Sequence, residues 1–359
     1  MYSVNVHGIM TIDNKKVGIK EIALKAGVSI GTVDRVLHNR GEVKKETYER
    51  IMQIVNEFGY TPNLLAKALS SRKTAVFAIV IPGPSDNNPY WQKPVDGINI
   101  AEKELSAYNT RLDHYFYNAT DCQSFTEATG KVLNSQPDGV ILCPAFKEQS
   151  LKFTKDLDKL QIPYVFIDIN LDGANSIGYY GQDAYQSGMI GARLMQQTLG
   201  DSKSVMIVKQ SAKKIFSEHI ESRIKGFVNG FGSANVKFTT IEIDLRDPNE
   251  PDASMRQALT QVQNNIFVPN SRSFVLAKYI EEKHIEHCNI IGYDLLNDNI
   301  EHLKRGNISF LLNQRPDEQS YKAVMRLFNY VAGNKEILQR NNYSPIDIII
   351  KENVDYYRK

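Results

Sequence analysis

The chain has 359 residues and a mass of 40.7 kDa, too long for one ordinary core and suited to two or three domains. Hydrophobic residues are 42% and charged residues 23% of the chain, which excludes a wholly disordered protein, and no stretch approaches the ~18 uninterrupted apolar residues of a membrane-spanning helix. The net charge of +2 is uneven, because residues 1–73 carry 12 Lys and Arg against 7 Asp and Glu while the remainder is acidic. A basic N-terminal part is typical of a segment that meets a polyanion.

The first 16 residues lack the basic and apolar regions of a secretory signal, and we interpret them as a flexible extension. Three widely separated cysteines provide neither a disulfide framework nor the spacing of a metal site: Cys122, Cys143 and Cys288. These features predict a cytoplasmic protein without a membrane anchor.

The next segment, up to Tyr60, has the apolar spacing of three short helices. The first helix ends at Gly27, the second begins after its N-cap Ser29, and the third ends at Gly59. The apolar positions are Ile19, Ile22, Ala23, Ala26, Val33, Val36, Leu37, Ile51, Ile54, Val55 and Phe58. Two short helices joined by a three-residue turn and followed by a third helix predict a helix-turn-helix module.

The order of residues in this module is more specific than their spacing. Residues 19–37 read IKEIALKAGVSIGTVDRVL, and residues 58–63 read FGYTPN. The module resembles the headpiece of the lactose-repressor (LacI/GalR) family over more than forty residues. The resemblance implies an all-α DNA-binding headpiece over residues 17–61 whose partner is operator DNA.

The second helix of such a headpiece enters the major groove with its N-terminus first. Arg35 has the reach for a bidentate contact with guanine, and Ile30 can touch a thymine methyl group. The predicted base-reading residues are Ile30, Gly31, Asp34 and Arg35. The residues predicted to position phosphates are Thr32, Asn39, Lys44, Lys45, Tyr48 and Asn63. The alternative interpretation of Arg35 is a solvated surface arginine.

Two residues depart from the family pattern. Asp34 stands where the family usually has serine, and Lys44 stands where a serine or threonine usually caps the third helix. A carboxylate near phosphates is repelled unless it accepts a hydrogen bond from a cytosine amine, and a lysine is a poor cap. The operator sequence therefore does not follow from the resemblance.

Residues 62–73 form the predicted link between the headpiece and the rest of the chain. Thr61 is the N-cap and Pro62 the first residue of a helix of about eight residues, too short to be stable alone. The resemblance implies a hinge helix that orders on DNA beside its twin from a second subunit, with Leu69 as a minor-groove wedge. The alternative is an ordinary interdomain linker that Leu69 anchors.

Beyond Thr74, short apolar runs alternate with helix-length stretches. The predicted strands are 75–81, 139–143, 164–167, 204–208, 274–276, 289–292 and 346–351, and the predicted helices are 94–107, 123–135, 185–199 and 218–231. Strands buried on both faces and joined by helices predict parallel α/β sheets. No strand precedes a phosphate-binding glycine motif, so no nucleotide cofactor is expected.

Ligands of parallel sheets bind beyond the carboxyl ends of the strands, where polar and aromatic residues collect in this sequence. The set resembles the two-lobed periplasmic sugar-binding fold that serves as the effector domain of the same family. The resemblance implies an effector domain over 74–359, with lobe 1 at about 74–178 and 314–340 and lobe 2 at about 179–312 and 343–359. It also implies a cleft lined by Asn88, Tyr90, Trp91, Asp168, Arg223, Asn270, Asp294 and Gln314. Aromatic rings stack on a sugar ring, and the polar groups bond its hydroxyls.

These cleft residues have simpler interpretations. Trp91 is then a core residue, Asp168 and Asp294 close turns, and Arg223 is half of a surface ion pair.

Two catalytic or metal interpretations also present themselves. His284, His287 and Cys288 are too loosely spaced for a metal site, so none is expected. Asp168, Asp172 and Asp183 are candidate carboxylates for glycoside cleavage, but nothing in the sequence fixes the distance between them.

The sequence therefore predicts a transcriptional regulator, not an enzyme, whose operator affinity is controlled by a small sugar or sugar derivative. Residues 352–359 contain no leucine heptad of the kind that makes tetramers, so a homodimer is expected. The alternatives are a solute-binding module without a regulatory role and an enzyme that acts on sugars.

Overall fold

The computed structural model describes residues 18–37, 41, 43–58, 73–85, 89–200, 203–210, 218–243, 245, 265–285, 288–333, 337 and 339–357. The chain divides into two compact units, residues 1–67 and residues 68–359. The predicted extension 1–16, all but the last residue of the predicted hinge 62–73, and Gly59 lie outside the described residues. So do four predicted site residues: Asn39, Asn63, Leu69 and Asn88.

The first unit contains α1 (Ile19–Ala26), α2 (Ile30–Leu37) and α3 (Lys45–Glu57). Gly27 ends α1 with a left-handed φ of 65°, which costs glycine less than any other residue. The buried residues of the three helices form one small core: Ile22, Ala23, Ala26, Val33, Val36, Ile51, Ile54 and Val55. Phe58 follows α3 and is 38% exposed. It was expected on the apolar face of the third helix, but it lies outside this core. The helix-turn-helix prediction is confirmed.

The second unit is built on two six-stranded sheets. The first sheet has the order β11-β5-β4-β3-β1-β2 and consists of β1 (Ala75–Pro82), β2 (Thr110–Tyr117), β3 (Gly139–Leu142), β4 (Tyr164–Ile167), β5 (Gly178–Gly181) and β11 (Asn341–Tyr343). All of its strand pairs are parallel. Its helices are α4 (Gln92–Leu105), α5 (Cys122–Ser135), α6 (Lys147–Lys159) and α11 (Pro316–Ala332). We call this sheet and its helices the first lobe.

The second sheet has the order β12-β10-β9-β8-β6-β7 and consists of β6 (Ser204–Gln210), β7 (Lys237–Ile243), β8 (Asn265–Phe267), β9 (Asn289–Tyr293), β10 (Phe310–Asn313) and β12 (Asp347–Ile349). β12 runs antiparallel to β10, and the other pairs are parallel. Its helices are α7 (Ala184–Thr198), α8 (Glu218–Asn229), α9 (Ser273–Glu282) and α10 (Asn297–Arg305). We call this sheet and its helices the second lobe.

The chain passes between the two lobes three times: after β5, after β10, and between β11 and β12. Because β5 and β11 belong to the first sheet, that lobe extends to Gly181 and Tyr343, a few residues beyond the limits of 178 and 340 expected from the sequence.

One predicted strand is wrong. Residues 274–276 lie inside α9, where nearly every residue from Ser273 to Ile280 is buried. A helix that is apolar on all sides has no clear period, so its sequence cannot be told from that of a buried strand.

Two helices of the second lobe pack at backbone contact. A Cβ atom at Gly188 of α7 would lie 2.0 Å from the backbone oxygen of Arg223, and one at Gly226 of α8 would lie 2.0 Å from that of Tyr185. Glycine is therefore required at both positions. This packing fixes the backbone of Arg223, one of the predicted cleft residues.

No helix among the described residues is long and apolar enough to cross a membrane.

Candidate functional sites

Helix α2 presents the predicted base-reading residues on an accessible face. Ile30, Gly31 and Arg35 are exposed and Asp34 is half-buried, while the opposite side of the helix packs in the core of the first unit. Ile30 is 45% exposed although it is aliphatic. Nε of Arg35 donates to the backbone oxygen of Gly31 at 3.3 Å, so the side chain lies along the helix. The face offers an apolar group beside a guanidinium.

The start of α2 is fixed by a side-chain cap, as the sequence predicts. The backbone nitrogen of Thr32 donates to Oγ of Ser29 at 3.2 Å, and the two hydroxyl oxygens are 2.9 Å apart. Thr32, a predicted phosphate contact, is thereby placed at the N-terminus of the helix. Such an N-terminus attracts anions because its backbone N–H groups point outward.

Three further predicted phosphate contacts lie around the start of α3. Lys44, Lys45 and Tyr48 are exposed, and Tyr48 keeps 39% of its surface accessible. Lys44 occupies the N-cap position without a side-chain hydrogen bond to the helix, as its departure from the family pattern predicts.

In the second unit, three predicted cleft residues lie at one end of the first lobe. Asp168 follows β4 with a left-handed φ of 64°, and its Oδ1 accepts a hydrogen bond from the Tyr90 hydroxyl at 2.7 Å. The hydroxyl of Tyr179 donates to the backbone oxygen of Asp168 at 3.1 Å. The Trp91 ring meets the Tyr90 ring edge-on, with centroids 5.3 Å apart. Trp91 is 6% exposed and packs in the core, as its simpler interpretation predicts.

The second lobe contributes a buried chain of polar side chains. Gln314 Nε2 donates to both carboxylate oxygens of Asp294, at 2.8 and 3.0 Å, and Gln314 Oε1 accepts from Nη2 of Arg223. Nη1 of Arg223 donates to the backbone oxygen of Pro269 at 3.0 Å, and its guanidinium lies 4.2 Å from the centroid of the Tyr293 ring. Arg223, Gln314 and Asp294 are only 3–4% exposed. The interpretation of Arg223 as half of a surface ion pair is therefore wrong.

Asp294 and Asn270 each follow a strand of the second sheet. Asp294 follows β9 with a left-handed φ of 67°, the backbone conformation that Asp168 adopts after β4. Asn270 follows β8, and its Oδ1 accepts from the backbone nitrogen of Arg272 at 2.9 Å. Asn270 thus holds its own loop in a turn. In both sheets, short polar residues therefore follow the carboxyl ends of strands.

Ionisable groups of the two lobes lie close enough for their charges to affect one another's pKa values. Burial raises the pKa of Asp294 to about 7, against the lowering effects of Arg223 and of the Gln314 hydrogen bond, and Asp168 of the other lobe adds to the rise. Burial also raises the pKa of Tyr90, and the charges of Asp168 and Asp294 add to that rise. A carboxylate of one lobe therefore acts on the ionisable groups of the other.

His219 is a cleft residue that the sequence analysis does not identify. It lies in the first turn of α8, one turn before Arg223 on the same face of the helix. Burial lowers its pKa to about 4, although Asp168 acts to raise it, so the imidazole is neutral at physiological pH. The only signal in the sequence for His219 is that it lies four residues before Arg223. Any helix contains residue pairs with this spacing, so the signal is not specific.

Two buried nitrogen atoms of α8 lack hydrogen-bond partners among the described residues. They are Nδ1 of His219 and Nε of Arg223. An unpaired buried polar group is costly in a folded protein, and the Arg223 nitrogen can only donate. A ligand with oxygen atoms in the cleft would satisfy both.

An ion pair joins the lobes beside these groups. Nζ of Lys147, the first residue of α6, lies 3.9 Å from Oε2 of Glu218, the first residue of α8. Both side chains are more than half exposed.

The described residues show no arrangement that supports the catalytic or the metal interpretation. Within the described ranges, no group of three or more His, Cys, Asp or Glu side chains could hold a metal ion, and His287 lies outside those ranges. Asp172 is exposed, and Asp183 caps α7 by accepting from the backbone nitrogen of Gln186 at 2.9 Å. Asp172 therefore lies at the surface, and Asp183 caps a helix.

Comparison with known proteins agrees with both units. Residues 18–63 match the family model of bacterial regulatory proteins, lacI family, and residues 77–335 match that of the periplasmic binding protein domain. The chain is 25% identical over 282 residues to the ribose operon repressor of Lactococcus lactis subsp. lactis (strain IL1403), which spans 77% of this chain and 80% of that protein.

Two solved structures share the fold of the second unit. A protein described as a LacI transcriptional regulator from Bacteroides fragilis superposes with a TM-score of 0.73 and 26% identity, over 80% of this chain and 100% of that chain. An ABC transporter solute-binding protein from Burkholderia graminis, in complex with D-arabinose, has a TM-score of 0.70 and 17% identity over 81% of this chain and 100% of that chain. The family resemblance and the fold class predicted from the sequence are confirmed: residues 18–63 form a helix-turn-helix headpiece that matches the lacI family of bacterial regulatory proteins, and the chain belongs to the periplasmic-binding-protein domain family through residues 77–335.

Proposed function

We propose that this protein is a transcriptional regulator whose affinity for operator DNA is set by a small sugar or sugar derivative bound between its two lobes. One observation carries the proposal. The chain that presents an exposed helix-turn-helix face also contains a buried polar cleft in which Nδ1 of His219 and Nε of Arg223 have no partner among the described residues. Buried polar atoms without partners, in a chain that also has a helix-turn-helix unit, favour a protein that senses a ligand.

On the DNA side, the accessible face of α2 reads bases and its surroundings hold phosphates. Ile30, Gly31, Asp34 and Arg35 are the base-reading residues, with Arg35 as the donor to guanine. Thr32, Asn39, Lys44, Lys45, Tyr48 and Asn63 position the backbone, and Leu69 wedges into the minor groove. The basic charge of residues 1–73 supports this assignment, because neutralising phosphates supplies much of the affinity for DNA.

On the effector side, the cleft has the chemistry of a polyol site. The Tyr90 ring, which packs against the core residue Trp91, provides aromatic surface, and Asp168, Arg223, Asp294 and Gln314 provide donors and acceptors with fixed positions. Asn88 and Asn270 complete the proposed set. Two similar proteins also support a sugar ligand: the ribose operon repressor is named for ribose, and the solute-binding protein from Burkholderia graminis is bound to D-arabinose.

The proposed working form is a cytoplasmic homodimer, because a pseudo-palindromic operator matches two-fold symmetry. The edge of the first lobe supports dimerisation. β2 is the last strand of its sheet and exposes 45% of Phe116, and the neighbouring α4 exposes 59% of Ile100. Large exposed apolar side chains on a sheet edge favour a protein interface.

The test begins with a thermal-shift screen of mono- and disaccharides, because a ligand that binds only the folded state raises its melting temperature. Operator fragments are selected from genomic DNA with the purified protein. The operator is then titrated at fixed salt with and without the sugar. We expect operator affinity to change about 5- to 150-fold, the usual range of allosteric coupling. Identical titration curves with and without a bound sugar would disprove the coupling.

Two variants separate the two sites. Arg35→Ala is expected to lose operator selectivity and to keep the sugar-induced thermal shift. Arg223→Ala is expected to lose the thermal shift and to keep selective operator binding. If either variant loses both properties while it remains folded, the assignment of one site to each unit is wrong.

A further inference from the structure

The charges in the cleft restrict the class of sugar that the protein can sense. Two carboxyl groups face the cleft, Asp168 from the first lobe and Asp294 from the second. Their hydrogen-bond donors are the Tyr90 hydroxyl and the Gln314 amide, which are both neutral. The carboxyl groups are therefore held in place without being neutralised by these donors.

Arg223 is the buried cation of this cleft within the part of the chain that the structure describes, whereas Lys147 beside it is more than half exposed and paired with Glu218. The charge of Arg223 acts on the pKa values of four cleft groups, and no other cation does so: Tyr90, Tyr179, His219 and Asp294. Two of its three nitrogen atoms already donate, to Pro269 and to Gln314. The remaining nitrogen, Nε, offers one N–H, which suits a hydroxyl or a ring oxygen. Nη1 and Nη2 each keep a second N–H, and Nε is the nitrogen without any partner among the described residues.

His219 contributes no positive charge to the cleft. Burial lowers its pKa to about 4, so its ring is neutral when the protein works near pH 7. Its buried Nδ1 is still available as a hydrogen-bonding atom, because it has no partner among the described residues. A neutral imidazole bonds a hydroxyl well but does not compensate an anion.

We propose that the effector is a sugar without a phosphate or carboxylate group, and that His219 and Arg223 of α8 bind adjacent oxygen atoms of it. This proposal rests on the proposed function and narrows it to one ligand class. Asp168 and the partly ionised Asp294 together repel an added negative charge that one engaged guanidinium does not offset, and specificity arises from such unfavourable contacts as much as from favourable ones.

The test compares matched ligands on the full-length protein by calorimetry. D-ribose is compared with D-ribose 5-phosphate, and D-glucose with D-glucose 6-phosphate and D-glucuronate. The corresponding neutral O-methyl ethers control for size. Where the neutral sugar binds, we expect its anionic counterpart to bind at least ~100-fold more weakly and the methyl ether to bind better than the phosphate.

Equal or tighter binding of a phosphate or a uronate would overturn the proposal and leave the proposed sugar sensor intact. If no sugar of either class bound while selective operator binding remained, the proposed sensor and this inference would both fail. These two failures are therefore distinguishable.

Four variants locate the effect. Asp168→Asn is expected to reduce the preference for the neutral sugar at least ~10-fold, because it removes a negative charge and keeps the shape. Asp172→Asn, at an exposed carboxylate outside the cleft, should leave the preference unchanged. His219→Ala should weaken binding of the neutral sugar at least ~5-fold and His219→Gln should restore most of it. Equal preferences in Asp168→Asn and wild type would show that charge does not select the ligand.

Discussion

Helix α2 and the cleft, the two proposed binding sites, hold their predicted functional groups in opposite environments. On α2, Ile30 and Arg35 are exposed, and in the proposed function DNA supplies the partners of Arg35. In the cleft, Arg223 and Asp294 are buried and are held by Gln314, Pro269 and Tyr293 before any ligand arrives. An exposed polar group is solvated in the free protein, whereas a buried one must be paired by the fold. The first surface can therefore change its specificity without changing stability, and the second cannot.

The largest expected effect is that of Arg223→Ala on stability. The substitution removes the donor to Gln314 and Pro269 and leaves Asp294 without its nearby cation, which we expect to lower the free energy of unfolding by about 3 kcal/mol. Urea denaturation at neutral pH measures the difference. Arg35→Ala is the matched control at an exposed site and should remain within ~0.5 kcal/mol of wild type. Similar losses in the two variants would contradict the contrast between the sites.

The second prediction concerns pH and Asp294. Its pKa in the folded protein is about 7, above the ordinary value of 3.8. The folded protein therefore binds more protons than the unfolded chain between these two values, and stability falls as pH rises through that window. Relative to Asp294→Asn, we expect wild type to lose about 2 kcal/mol of unfolding free energy between pH 5 and pH 7, with no further loss above pH 8.

Urea denaturation of both proteins at four pH values provides this measurement. His219 titrates in the opposite direction, because burial lowers its pKa, but it is present in both proteins and largely cancels. A difference that stays constant from pH 5 to pH 8 would show that Asp294 is not buried in the way described.

Much of the first unit follows from the sequence because its signals are local. Gly27 and Ser29 mark a helix end and a helix start within three residues, and both have the predicted geometry. The predicted base-reading residues lie within one short helix, so their common face follows from helical period alone. Nothing beyond neighbouring residues is needed to predict this surface.

The cleft was only partly predictable, because its residues come from distant segments. Asp168 and Asp294 were found because each follows an apolar strand. Their partners are not visible in the sequence, since the contact of Gln314 with Arg223 depends on how β10 and α8 are placed. His219 was missed for the same reason.

The errors in the fold have related causes. The sequence analysis does not identify the edge strands β2 and β7, because they mix exposed and half-buried residues and lack the continuous apolar run of central strands. α9 was predicted as a strand because it is buried on most sides. In both cases the apolar pattern reports burial rather than the type of element.

The third prediction is smaller and tests the local design of α2. Ser29→Ala removes the side-chain cap that accepts from Thr32, which we expect to cost about 1 kcal/mol. The loss should appear as about fivefold faster hydrogen exchange of the α2 amides in the full-length protein. Ser29→Asp should restore protection, because aspartate is an equally good cap. Unchanged exchange in Ser29→Ala would mean that packing alone fixes the start of the helix.

The smallest expected effect is at the ion pair between Lys147 and Glu218. It joins the two lobes next to His219, so it favours the closed arrangement that a ligand needs, but both side chains are mostly exposed and such pairs contribute only about 0–1 kcal/mol. We expect Lys147→Glu to weaken sugar binding about two- to fivefold at low salt and the double exchange with Glu218→Lys to restore it. In about 0.5 M salt the three proteins should bind alike, because exposed charges are screened. If the double exchange binds no better than Lys147→Glu, the contact does not hold the lobes together, and closure depends on the buried groups alone.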